Sequence, residues 1–231
     1  MMRNIALFLL SIALFGCSEE KSDLSLDQGY DFLPLQVGMF WTYSVEETVY
    51  EVFEPITTTY ILKEVIADSL VSAGNEMKYV VNRYSGVDED NLELDSVWSI
   101  RKTERSAITG ENNKEVIKLS FPVTSGISWD GNAYNTQDAQ LFYYQDIDIY
   151  EFDGDSYSSP DAIRVIIEDI EQNLVNQDER SEVYLRNIGL VEKDYTELSF
   201  CTVNCDQKGS EIGAIEKGKI LKQNLISYGK E

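Results

Sequence analysis

The chain has 231 residues, with 19 Lys plus Arg against 41 Asp plus Glu, a net charge of −22 and no histidine. A chain this acidic is repelled by phosphate backbones, which argues against nucleic acid as a partner. The missing imidazole removes the commonest general base, the Ser-His and Cys-His nucleophile pairs, and most zinc and iron sites.

In chain order, Arg3 precedes an apolar run from Ile5 to Phe15. A spanning helix needs about 20 apolar residues, so this run is too short and reads as the apolar region of a secretory signal peptide. It ends in Leu14-Phe15-Gly16-Cys17, which resembles the lipobox of bacterial lipoproteins, although Phe15 stands where a small residue is usual. The resemblance implies cleavage before Cys17 and acylation of its thiol. Several acyl chains on one residue meet the requirement of more than one lipid signal for stable anchoring. Ser18 after the cysteine resembles the pattern that permits transfer to the outer membrane. The pair Glu19-Glu20 resembles the surface-export signal of Bacteroidota lipoproteins. The expected location is therefore the outer membrane, lipid-anchored, on its cell-surface or periplasmic face. Residues 1–16 are read as the signal peptide, 17–31 as a polar lipidated tether, and 32–231 as a single β domain.

The body reads almost throughout as strands. Trp41, Tyr43 and Val45 alternate with polar residues, and a change of parity predicts a bulge near Glu46-Glu47. Further strands are expected over Thr57–Val65, Met77–Tyr84, Val97–Lys102, Glu115–Phe121, Gln140–Phe152, Ala162–Asp169, Ser181–Arg186, Leu190–Phe200 and Ile220–Tyr228. Turn residues separate them at Ala73-Gly74-Asn75, Thr109-Gly110, Asp153-Gly154 and Lys217-Gly218. Without helical crossovers the connections are antiparallel. The expected fold is all-β, with about ten antiparallel strands in one strongly curved sheet, half-barrel or barrel-like; a β-sandwich is the alternative.

Two stretches share one pattern. "PLQVGMFW" (34–41) and "PVTSGISW" (122–129) both read Pro-aliphatic-x-x-Gly-x-x-Trp. Pro fixes φ, Gly permits a turn closed to other residues, and Trp closes the core where the chain re-enters the sheet. "FLPLQVGMFWTYS" also resembles the opening block of a family of uncharacterised Bacteroidota lipoproteins, and "LSFPVTSGISWDGNAYN" and "NIGLVEKDY" are similar to further blocks of it. The resemblance implies an outer-membrane or surface lipoprotein with a β-rich fold and no assigned activity. Gly38, Trp41, Tyr43, Trp129, Gly131, Asn132, Gly189 and Leu190 match those blocks and read as turn and core positions.

Candidate sites are few. With Cys17 lipidated, Cys201 and Cys205 remain as a pair expected to form a disulfide in an oxidising compartment. Extended strand would hold their Cα atoms about 13 Å apart, so "CTVNC" has to turn. Asp146, Asp148, Asp153 and Asp155 lie in the most acidic window and could supply oxygen ligands to calcium. Their spacing fails the EF-hand pattern, and a hairpin turning at Asp153-Gly154 with a wet acidic face is the preferred account of them. No motif places a catalytic residue or a cofactor. In "QLFYYQ" (140–145) both faces of the strand are apolar, which suits burial on both sides, a cavity wall or a contact surface. The readings left open are a non-enzymatic module that binds or carries an apolar ligand or a partner protein, a structural accessory subunit of an outer-membrane complex, and a glycan hydrolase using a carboxylate pair.

Overall fold

The computed structural model describes residues 27–71, 76–206 and 210–231. Cys17, the signal peptide and the predicted turn at 73–75 lie outside them. No helix among the described residues is long and apolar enough to cross a membrane.

Among the described residues, a 3-10 turn at Tyr30–Phe32 is followed by fourteen strands: β1 (Met39–Glu51), β2 (Glu54–Val71), β3 (Met77–Gly86), β4 (Glu93–Lys102), β5 (Ser106–Glu111), β6 (Lys114–Ser120) and β7 (Ser128–Asp130), then β8 (Leu141–Asp146), β9 (Tyr150–Phe152), β10 (Asp155–Tyr157), β11 (Ala162–Ile170), β12 (Asn176–Leu185), β13 (Gly189–Phe200) and β14 (Ile215–Lys230). Twelve form one antiparallel sheet in the order β6-β5-β4-β3-β2-β1-β14-β13-β12-β11-β8-β7, and β9 and β10 make a separate hairpin. Nearly every neighbour in the sheet is a neighbour in sequence. The non-local link is β1 with β14, paired from Met39↔Lys230 to Glu51↔Lys217.

The sheet curls until its two ends meet, and side chains close the seam. The amide of Ile117 on β6 donates to the Gly131 carbonyl just after β7, at 2.9 Å. The Trp129 indole donates back to the Ile117 carbonyl, and the Asn135 amide group to that of Glu115, both at 2.9 Å. The Tyr144 hydroxyl donates to the Ser120 carbonyl at 2.7 Å and accepts from its amide at 2.8 Å. The outward backbone groups of β6 are thus satisfied although β7 is only three residues long, which removes the hazard of an open sheet edge.

Both Trp motifs work as their pattern implies. Gly38 and Gly126 adopt φ of 88° and 80°. The tryptophans three residues on are buried, and each indole donates to a backbone carbonyl: Trp41 to Ile188 at 2.6 Å, Trp129 to Ile117. One end of the barrel is closed by residues 27–38. Phe32 is 1% exposed; the Lys102 ammonium donates to the carbonyls of Tyr30 and Leu33; and Arg186 pairs with Asp27 at 2.6 Å and Asp31 at 2.7 Å. Asp27 to Asp31, which the sequence assigns to the tether, lie against the body through these contacts.

Several expectations change. The bulge in β1 falls between Thr42 and Tyr43, against β14, not at Glu46-Glu47. Thr109-Gly110 lies within β5, and Lys217-Gly218 within β14. In β8, Phe142 and Tyr144 are buried but Leu141 is 65% exposed, so this strand has a single core face.

A methyl group added at Gly131 would meet the Phe142 ring at 2.5–2.7 Å. Gly131→Ala is expected to destabilise the protein by roughly 1–3 kcal/mol through overpacking at the seam, and Phe142→Leu in the same chain to recover part of it. Thermal unfolding midpoints of the two variants check this.

Candidate functional site: an ion cluster inside the barrel

The enclosed side of the sheet holds charged groups at its centre. Glu182 on β12 is 1% exposed. Its Oε1 accepts from the Lys118 ammonium at 2.9 Å and the Tyr195 hydroxyl at 2.5 Å, and its Oε2 from the Tyr184 hydroxyl at 2.7 Å. Lys193, its cross-strand partner on β13, lies at 3.6 Å. Lys118 also faces Glu111 at 3.5 Å. A second pair, Glu64 and Arg83 at 2.8 Å, stands nearby, with the Arg83 guanidinium 3.6 Å from the centre of the Trp98 ring. Two carboxylates balance two ammonium groups in the first set, and one balances one in the second.

Pairing decides the protonation states. Burial pushes the Glu182 carboxyl up, but Lys118, Lys193 and the hydroxyls of Tyr195 and Tyr184 outweigh it and hold the group well below its ordinary 4.5. Burial pushes Lys118 down, and Glu111 and Glu182 more than reverse that, leaving it above its ordinary 10.5. Burial first, and Glu182 next, raise Tyr184 and Tyr195 well above 10.0, so both stay hydroxyl donors. Each of these groups therefore keeps one protonation state through neutral pH. That suits fixed electrostatics and does not suit general acid–base work, which needs a group poised near the working pH.

The cavity beside the cluster measures about 60 Å³ and is lined from both sides of the barrel by Tyr43, Glu64, Trp98, Glu111, Lys118, Glu182, Tyr184 and Lys193, with Leu33, Trp41 and Leu190 toward the closed end. At roughly 10–15 Å³ per water centre this is room for a handful of waters. The buried Trp98 Nε1 and Glu111 Oε1 have no hydrogen-bond partner among the described residues, and both residues face this space.

The sequence-level candidates lie elsewhere. Cys201 and Cys205 are joined, Cα to Cα 5.9 Å, in the loop between β13 and β14. Asp146 ends β8, Asp148 follows it, Asp153 turns the β9–β10 hairpin at φ 51° with Gly154 at 85°, and Asp155 opens β10. All four are exposed. Among the described residues no group of three or more His, Cys, Asp or Glu side chains is arranged to hold a metal. The ion cluster was missed from sequence. Its signal is faint: "SEVYL" (181–185) puts Glu182 in phase with Tyr184 while Val183 and Leu185 are also apolar, so no face of the strand is wholly wet.

The geometry defines an up-and-down antiparallel barrel, filled and charge-paired inside. No protein-family model matches the chain, and no curated protein matches it significantly. Among solved structures, a "putative exported protein with YmcC-like fold" from Bacteroides fragilis aligns with a TM-score of 0.46 at 11% identity, over 86% of this chain and 99% of its own. A "putative lipoprotein" from Parabacteroides distasonis aligns with a TM-score of 0.45 at 6% identity, over 86% and 98%.

Removing the Glu182 carboxylate strands Lys118 and Lys193. Glu182→Ala is expected to cost about 3–5 kcal/mol, the range for breaking a buried ion pair. Because the folded protein holds Glu182 below its ordinary value, its contribution is complete above about pH 4.5 and is lost as pH falls below that. Urea midpoints at pH 7 and pH 3 should therefore differ more for the wild type than for Glu182→Gln.

Proposed function

We propose that the chain is an envelope lipoprotein, held at the outer membrane by acyl groups on Cys17, whose barrel works without catalysis as a docking subunit for another envelope protein. The supporting observation is the barrel interior. A carrier of apolar ligands needs a cavity of about 300–1,000 Å³, lined mostly by apolar groups. Here the space is about 60 Å³, too small for such a ligand, and the ion cluster occupies the barrel interior beside it. A glycan hydrolase needs a carboxylic acid whose pKa is raised, and Glu182 is driven the opposite way, accepting three hydrogen bonds and facing the Lys193 ammonium. With the interior committed to its own pairing, recognition falls to the outer surface.

Native mass spectrometry of the protein extracted from its own envelope tests this. The expected result is a clean mass for the acylated chain together with a co-purifying polypeptide. A retained small apolar molecule would overturn the reading in favour of a carrier. Cys17→Ala is expected to move the protein from the membrane fraction to the soluble one, read by fractionation and immunoblot.

A further inference from the structure

The N-terminal segment closes one end of the barrel, and β1, thirteen residues long, carries the chain about 40 Å to the other end. At that far end three consecutive connections around the rim present exposed aliphatic side chains. They are Val52 (72% exposed) between β1 and β2, Val203 (65%) and Ile212 (79%) between β13 and β14, and Leu174 (85%) between β11 and β12. Neighbouring tips are joined by backbone hydrogen bonds, Phe53 to Glu216 at 3.0 Å and Phe200 to Val175 at 2.8 Å, so the side chains form an arc.

Two tips are built in ways that hold the apolar residue out. The β1–β2 turn sets Val52 and Phe53 at φ 51° and 72°, a conformation that favours Asn-Gly and penalises a β-branched residue. The β5–β6 and β9–β10 hairpins meet the same demand with Asn112-Asn113 and Asp153-Gly154, so Val-Phe is a departure within this molecule. In the other tip, the Cys201–Cys205 link closes a loop with Val203 at its apex.

The charge beside these tips has one sign. Glu51 and Glu54 flank Val52-Phe53, and Glu171, Asp206 and Glu211 stand near the other two tips, all exposed. In the sequence of the three connections Lys208 is the one cation, with Lys217 at the start of β14. Aliphatic knobs set among carboxylates fit a surface with apolar pockets ringed by Lys and Arg, and such a field disfavours an anionic membrane. Resting on the docking reading above, we propose that this rim is the docking surface and that its occupant is a cationic protein surface of that kind.

The test places a photo-crosslinking amino acid in the full-length chain, in the cells that make it, at Val52, Leu174 or Ile212, and at the wall positions Val87, Val97 and Ile226, which are 80%, 56% and 48% exposed. The expected result is one polypeptide adduct from the three tips and none from the walls, with the linked peptide carrying Lys or Arg. Glu51→Lys, Glu54→Lys and Glu171→Lys combined should lower its yield about tenfold without moving the thermal midpoint. Adducts from the walls instead would overturn the rim while leaving the docking reading in place, and no polypeptide adduct from any position would overturn both. Lipid adducts at the tips would make the rim a membrane contact, and a yield untouched by charge reversal would remove the cationic partner.

Discussion

Glu182 is ionised at the centre of a closed barrel, and the surrounding architecture follows from the need to compensate that charge. Its four partners come from β6, β12 and β13. β6 lies at one end of the sheet order, while β12 and β13 belong to the other half. The Glu182–Lys118 pair can form only when the sheet has curled so that these strands face each other across the interior. Closure would bury Glu182 at a prohibitive cost if it were unpaired, so the pair offsets that desolvation and ties closure to this one register. The seam hydrogen bonds at Ile117 and Ser120 and the pairing across the interior therefore reinforce one another.

The arrangement also divides the molecule by role. Residues 27–38 close the end from which the chain leads back toward Cys17, with Phe32 inserted and Arg186 clamped on Asp27 and Asp31. The opposite end carries the apolar tips and the disulfide loop. Between them the interior is committed to neutral, fixed pairings, Glu64 with Arg83 and Glu111 and Glu182 with Lys118 and Lys193. Under the proposed docking function, the first end would be the tethered one and the second the presenting one.

Much of the fold was legible in the sequence because its signals are local. The two Pro-aliphatic-x-x-Gly-x-x-Trp stretches fixed where the chain enters the sheet, and Asp153-Gly154 marked a hairpin through its left-handed φ values. What was misread has identifiable causes. Thr109-Gly110 looks like a turn, yet Gly110 lies in a strand where a Cβ would meet the Ser99 hydroxyl at 2.5 Å. Gly218 lies likewise in β14, beside the Glu197 carbonyl, so both glycines answer to close approach by the neighbouring strand, through a side chain at Gly110 and through backbone at Gly218. The Val52-Phe53 turn gave no signal because its residues contradict the usual turn chemistry. Glu182, Lys118 and Lys193 were invisible for a different reason: a charge alternating along a strand reads as a wet face until the sheet closes and makes that face the inside.

The most direct measurement is a carbon-13 NMR titration of the side-chain carboxyl of Glu182, assigned by comparison with Glu182→Gln. Fixed pairing predicts a carboxylate shift that stays flat from pH 8 down to about pH 3, well past the ordinary value of 4.5. An inflection at or above 4.5 would contradict the account, because it would make Glu182 a group that takes up a proton within the folded barrel.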